Sequence, residues 1–179
     1  MTTATDVASY INSRPNLLMD NRKLQKLVYF SHAWALGWTG RPLVASTFEA
    51  WPDGPVNRAL WVCQRHTFVP AYEGQLSDEQ VEIVDAVLAY YITMSSAELV
   101  EISHEGVWGA ARGDLPTKSP SQNELDNEML RDHYVRLAVA GKGPRWVPAV
   151  KQANARGVVD TARVISARWK DGLDLLATK

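Results

Sequence analysis

Four stretches of the chain carry side chains at spacings that chemistry could use. In LWVCQRH, Cys63 and His66 stand three apart, and residues three apart on a helix are neighbours, so a thiol and a general base could meet there. A single Cys on a helix is more often a small core hydrophobe. In SHEGVWGAAR, His104 is followed by Glu105, but the second His that a zinc-binding helix needs four residues after the first is missing. KLQKLVYFSHAW sets Lys23, Lys26 and Phe30 along one side of a helix. From there Lys26 could reach a carboxylate such as Asp53, although two solvated lysines beside a core face and a hydrogen-bonded His32 account for the same pattern. EAWPDGPVNR, Glu49 to Arg58, packs an aromatic, two prolines, a glycine and Asp53 into one short run.

That last run reads as a corner between a strand and a helix. Pro52 presets its own φ, Asp53 can accept from nearby backbone N–H groups, and Gly54 can take a positive φ. Pro55 suits the first turn of a helix beginning near Val56, leaving Asp53 as an N-terminal cap or as the partner of Lys26. No GxxxxGK[ST] loop, GxGxxG or GxSxG elbow occurs. The sequence therefore points to binding rather than reaction, and no catalytic residue, metal ligand set or cofactor is assigned.

The elements that must position these residues are mostly helices. Thr5 or Asp6 caps a short first helix with Val7, Tyr10 and Ile11 on one face, and Pro15 follows it. Asp20 caps the next, in which Leu24, Leu27, Val28, Ser31, Ala35 and Trp38 share a face widened by Tyr29, Phe30 and Trp34. A helix apolar on most sides belongs in the middle of its domain. LVASTFEAW, at about 43–51, prefers extended backbone, and VNRALWVCQRH resumes helical spacing. Capping boxes at Ser77 with Gln80, Ser95 with Glu98, and Ser121 with Glu124 announce three later helices. GKGPRWVP, residues 141–148, reads as a boundary, beyond which Val158, Ala162, Ile165, Trp169 and Leu176 recur on one helical face. The expectation is a mainly α fold: a compact multi-helix domain over 1–148 with a small extended element near 43–51, then a C-terminal amphipathic helical extension over 149–179.

Composition limits the partners. The 179 residues are 46% hydrophobic and 22% charged with a formal net charge of -1, so an ordinary globular core is expected and no positive field draws the chain to nucleic acid or anionic lipid. One cysteine rules out an intrachain disulfide. MTTATDVASY has neither a basic region nor an apolar run, and no stretch is apolar enough to span a membrane, so a cytoplasmic protein is expected. Seven tryptophans favour cores that reach the surface and partner interfaces.

Three blocks, KLQKLVYFSHAW from Lys23, FEAWPDGPV from Phe48 and MSSAELVEISHEGVWGAAR from Met94, resemble in order and spacing those of the Panacea domain family, the SocA-like or GepA-like antitoxins. The resemblance covers about residues 12–137. Its motif positions here are Lys23, Leu24, Lys26, Leu27, Tyr29, Trp51, Asp53, Gly54, Pro55, Val56, His104, Trp108 and Arg112. Val107 stands where relatives usually carry proline before the tryptophan. The resemblance implies a mostly helical antitoxin without enzymatic activity, which neutralises a cognate toxin encoded by an adjacent gene through direct binding. One branch of the family implies an alternative, an adaptor that delivers its toxin to the ClpXP protease. A DNA-binding regulator, and a hydrolase using His104, Glu105 or Cys63, are weaker readings. The region from about Lys151 lies outside the shared blocks, and Ile165, Arg168 and Trp169 are its expected partner-binding residues.

Overall fold

The computed structural model describes residues 2–15 and 19–148. The chain divides into two units, Met1–Val147 and Pro148–Lys179, and the description below is of the first. Its elements run α1 (Ala4–Asn12), α2 (Asn21–Thr39), β1 (Glu49–Trp51), β2 (Gly54–Val56), α3 (Arg58–His66), α4 (Asp78–Tyr91), α5 (Ser96–Ser103), α6 (Val107–Arg112) and α7 (Asn127–Val139). The fold is mainly α with one small antiparallel hairpin, as the sequence implies. The expected C-terminal helix lies outside the described residues.

α2 is the axis of the domain. Asp20 caps it by accepting from Lys23 N at 2.7 Å, and it stops where Gly40 takes a left-handed conformation. Every residue from Leu24 to Leu36 is buried, because α1, α3, α4, α5, α7 and β2 all pack around it. Phe30 stacks on Tyr91 of α4 at 4.3 Å, and Trp34 donates its Nε1–H to the Tyr91 hydroxyl at 3.1 Å. On the α7 side Trp34 meets Tyr134 edge to face at 5.0 Å. His32 is fully buried and satisfied, with Nε2 at 3.0 Å from Asn127 Oδ1 and Nδ1 accepting from Val44 N at 3.4 Å.

Two capping boxes occur as expected, Ser77 with Gln80 and Ser95 with Glu98. The first helix is capped two or three residues earlier than expected: Thr3 is the N-cap and Asp6 is its reciprocal partner. The third box does not form. Asp126 caps α7 instead, accepting from Met129 N at 2.8 Å, while Ser121–Glu124 stays extended. The cause is tertiary. The free edge of β1 has its own donors and acceptors to satisfy, and it takes them from this stretch: Ala50 N donates to Asn123 O and Leu125 N to Phe48 O, both at 2.8 Å. Glu124 pairs with Glu49 in the resulting bridge. The extended element begins at Glu49, inside the expected 43–51, and runs on to Val56. Strand pairing covers only 49–56, because Leu43, Val44 and Phe48 are buried without strand partners of their own.

α2 and α7 approach closely at Gly37. A Cβ on Gly37 would lie 2.7 Å from Tyr134 Cβ and 3.0 Å from the Tyr134 carbonyl carbon, so the absence of a side chain sets the spacing. Alanine would favour the isolated helix by about 1 kcal/mol, but it must push two backbones apart here. Gly37→Ala is expected to lower stability by about 1–3 kcal/mol, measured by chemical denaturation.

Candidate functional site

The motif residues converge on the β1–β2 hairpin. Three of its backbone carbonyls receive side-chain donors from two helices, α2 and α6. Lys26 Nζ of α2 donates to Pro55 O at 2.8 Å, Trp108 Nε1 of α6 to Trp51 O at 2.8 Å, and Arg112 Nη1 to Ala50 O at 2.8 Å. Arg112 Nη2 also reaches Pro116 O at 2.6 Å and Ser119 O at 2.8 Å, which ties the following loop to the same point. His104 stacks on Trp108 at 3.8 Å, and the Arg112 guanidinium lies 5.0 Å from the same indole centroid.

Gly54 makes this closure possible. Its φ is +88°, and a Cβ there would stand 2.4 Å from Ser103 Oγ and 3.0 Å from Lys26 Nζ. Gly-Pro-Val is therefore a steric requirement: a residue without a side chain at the approach of α2 and α5, then the carbonyl of Pro55 offered to Lys26.

Several expectations are corrected by this geometry. Lys26 is neither solvated nor paired directly with Asp53; it is 1% exposed. Asp53 stays at the surface and pairs with Arg22 at 3.3 Å. Pro55 belongs to β2 and not to a helical first turn. The N-cap of α3 is Asn57, whose side chain accepts from Leu60 N at 3.1 Å, and Asn57 N in turn donates to Gln25 Oε1 at 3.0 Å. Cys63 is half-buried at the end of α3 rather than in the core, with its sulfur near Thr67 Oγ1 and Phe68 O. Lys23 leaves the cluster and donates to Ile92 O at 2.7 Å. Leu24, Leu27, Tyr29 and Val56 are buried, Tyr29 against Phe48 just before the hairpin. Ile165, Arg168 and Trp169 lie outside the described residues.

One face of the hairpin opens into a cleft of about 370 Å³ between α2, the β-turn and α3. Lys26, Trp51, Asp53 and Val56 line it from the motif, joined by Arg22, Gln25, Trp61 and Gln64. The sequence reading missed these last four. Gln25 and Arg22 follow from the helical face of Lys26, and Trp61 from its place one turn past Asn57, but only the packing shows that the faces meet. Trp51 and Trp61 form a wall with ring centroids 5.2 Å apart. Arg65 lies over Trp61 at 5.2 Å, and Gln25 Nε2 donates to Gln64 Oε1 at 3.0 Å.

Burial dominates the electrostatics. It pushes the Lys26 ammonium down to about 7, with Asp53 opposing the shift and Arg22 adding to it. His104 is pushed below the usual histidine range by burial first and by the Lys26 charge second, against the opposing pull of Asp53. The cluster is thus a set of donors aimed at backbone carbonyls, of which Lys26 also lines the cleft.

The domain is thus a helical one built round a clamped hairpin, with polar motif groups bound to its own backbone. The model of the SocA-like antitoxin Panacea domain matches residues 24–109. The chain is 32% identical over 148 residues to Antitoxin SocA of Caulobacter vibrioides (strain NA1000 / CB15N), an alignment covering 66% of this chain and 79% of that protein. The chain belongs to the SocA-like Panacea domain family. No solved structure matches it.

Two outcomes follow from the clamp. Between pH 7 and about 10.5 the unfolded chain holds a proton on Lys26 that the folded one has released, so stability rises with pH through that window. The slope approaches ~1.4 kcal/mol per pH unit at most. Denaturation of wild type and Lys26→Met across pH 7 to 10 should show this slope in the wild type and its loss in the variant. Gly54→Ala should cost about 3 kcal/mol, from a positive φ on a non-glycine residue and from the clash with Ser103, measured by thermal unfolding.

Proposed function

We propose that the protein is the antitoxin of a toxin–antitoxin pair, a binding protein rather than an enzyme, which acts in the cytoplasm and neutralises a cognate toxin encoded by an adjacent gene through direct contact. The observation that carries this reading is the kinship with Antitoxin SocA across 79% of its length. The site supports it: Lys26, Trp108 and Arg112 are committed to hairpin carbonyls, so the motif holds a shape and leaves exposed groups beside it for recognition. Among the described residues no single helix is long and apolar enough to cross a membrane.

Residues 1–148 are proposed as the antitoxin domain and 149–179 as an appendage for partner choice. Ile165, Arg168 and Trp169 share a sequence pattern in which apolar residues recur at helical spacing next to basic ones. Trp and Arg often dominate interface energetics.

The test is co-expression with the product of the neighbouring gene. Growth arrest by that product alone, relieved by this protein with recovery of a stable complex, is the expected result. A harmless neighbour, or arrest that this protein leaves unchanged, rejects the reading, and a toxin whose lifetime shortens only when ClpXP is present assigns the adaptor role instead. Trp169→Ala should weaken the complex about tenfold or more, since truncating an interface tryptophan can cost about 2 kcal/mol, and should leave the melting of the domain unchanged. This is read by calorimetric titration beside a thermal scan.

A further inference from the structure

The cleft beside the hairpin has properties the clamp does not need. Three arginines, Arg22, Arg58 and Arg65, line it or border its aromatic wall, with the Lys26 amine at its floor, against two carboxylates, Glu49 and Asp53. Glu49 is largely covered and already accepts from Trp51 Nε1 at 2.7 Å, with Arg58 3.9 Å away. Among the described residues the ion pair of Asp53 is the exposed one with Arg22. A local positive excess in a chain of net charge -1 is a directional feature, since charge complementarity selects and steers partners. The floor adds a second. An ammonium has three N–H donors, and among the described residues Lys26 uses one, on Pro55 O. The Trp51 and Trp61 rings supply an apolar wall, and an indole next to an arginine is a common interface anchor.

We propose that this cleft is a contact site for the toxin and that it takes an acidic segment of that protein, one carboxylate displacing Asp53 from Arg22 above the Lys26 floor while a neighbouring apolar side chain lies on Trp51 and Trp61. The inference rests on the antitoxin reading and adds to it a surface and the chemistry of what binds there. Direct contact at the cleft also gives the exposed part of the motif region a use separate from the clamp.

The experiment is calorimetric titration of the full chain with the product of the neighbouring gene, at two salt concentrations. Trp61→Ala is expected to weaken binding at least tenfold. Arg22→Glu and Arg65→Glu are expected to weaken it similarly and to flatten its salt dependence. Arg131→Glu, on α7 and 44% exposed, should bind as the wild type does. Thermal scans of each variant accompany the titrations, and the two charge reversals, on exposed side chains, decide the matter if Trp61→Ala melts early. A photo-crosslinking side chain at position 64 should mark an acidic stretch of the partner. Wild-type affinity and salt dependence in all three cleft variants would overturn the inference while leaving the antitoxin reading intact. No complex with the wild-type chain would overturn both.

Discussion

The domain depends on one constraint: the carbonyls of a two-stranded hairpin must find donors inside a helical protein. A buried carbonyl left without one costs about 1–3 kcal/mol, and the hairpin turns three toward the interior, at Ala50, Trp51 and Pro55. They are met by an ammonium, an indole and a guanidinium from α2 and α6. Each donor is long enough to cross from a helix to the sheet, and each is buried or nearly so. The clamp draws α2, the hairpin and α6 together, and β1 then recruits residues 123–125 along its other edge. That recruitment moves the start of α7 to Asn127 and so sets where α7 meets α2.

A buried lysine is an expensive way to satisfy one carbonyl, since removing an ammonium from water costs several kcal/mol unless its charge is relieved. The domain relieves it by lowering the proton affinity of Lys26 until charged and neutral forms are comparable near neutral pH. A shorter or apolar residue would leave Pro55 O bare. Gly54 closes the same argument from the other side, because any side chain there would occupy the space through which Lys26 and Ser103 approach. The three sequence blocks of the family thus encode one spatial object, and its chemistry is that of holding backbone.

This separates scaffold from recognition. The groups in the clamp have their partners inside the domain, whereas Arg22, Asp53, Trp61, Gln64 and Arg65 around the cleft keep surface to offer. A scaffold fixed by internal hydrogen bonds can tolerate change in such groups without losing its fold.

The helices were legible in the sequence because their signals are local. The α2 stripe, the Asp20 cap and the boxes at Ser77 and Ser95 act within one or two turns, and the structure keeps them. Pro-Asp-Gly-Pro was legible as a turn for the same reason, but the structure makes it the turn of a hairpin and not a corner into a helix. What the sequence could not decide was every choice between two satisfied local states. Ser121–Glu124 has a good capping pattern, yet β1 offers it backbone hydrogen bonds across 75 residues of chain. Asp53 and Asn57 are both acceptable caps, and the Gln25 amide, arriving from α2, favours Asn57. Lys26 reads as solvent-facing on any helical wheel until α3, α5 and the hairpin close over it. Local propensity thus determined which segments are helical and where α2, α4 and α5 begin. Long-range hydrogen bonding and burial decided which polar side chains became structural, because the free energy of a buried donor depends on an acceptor that only the folded chain brings to it.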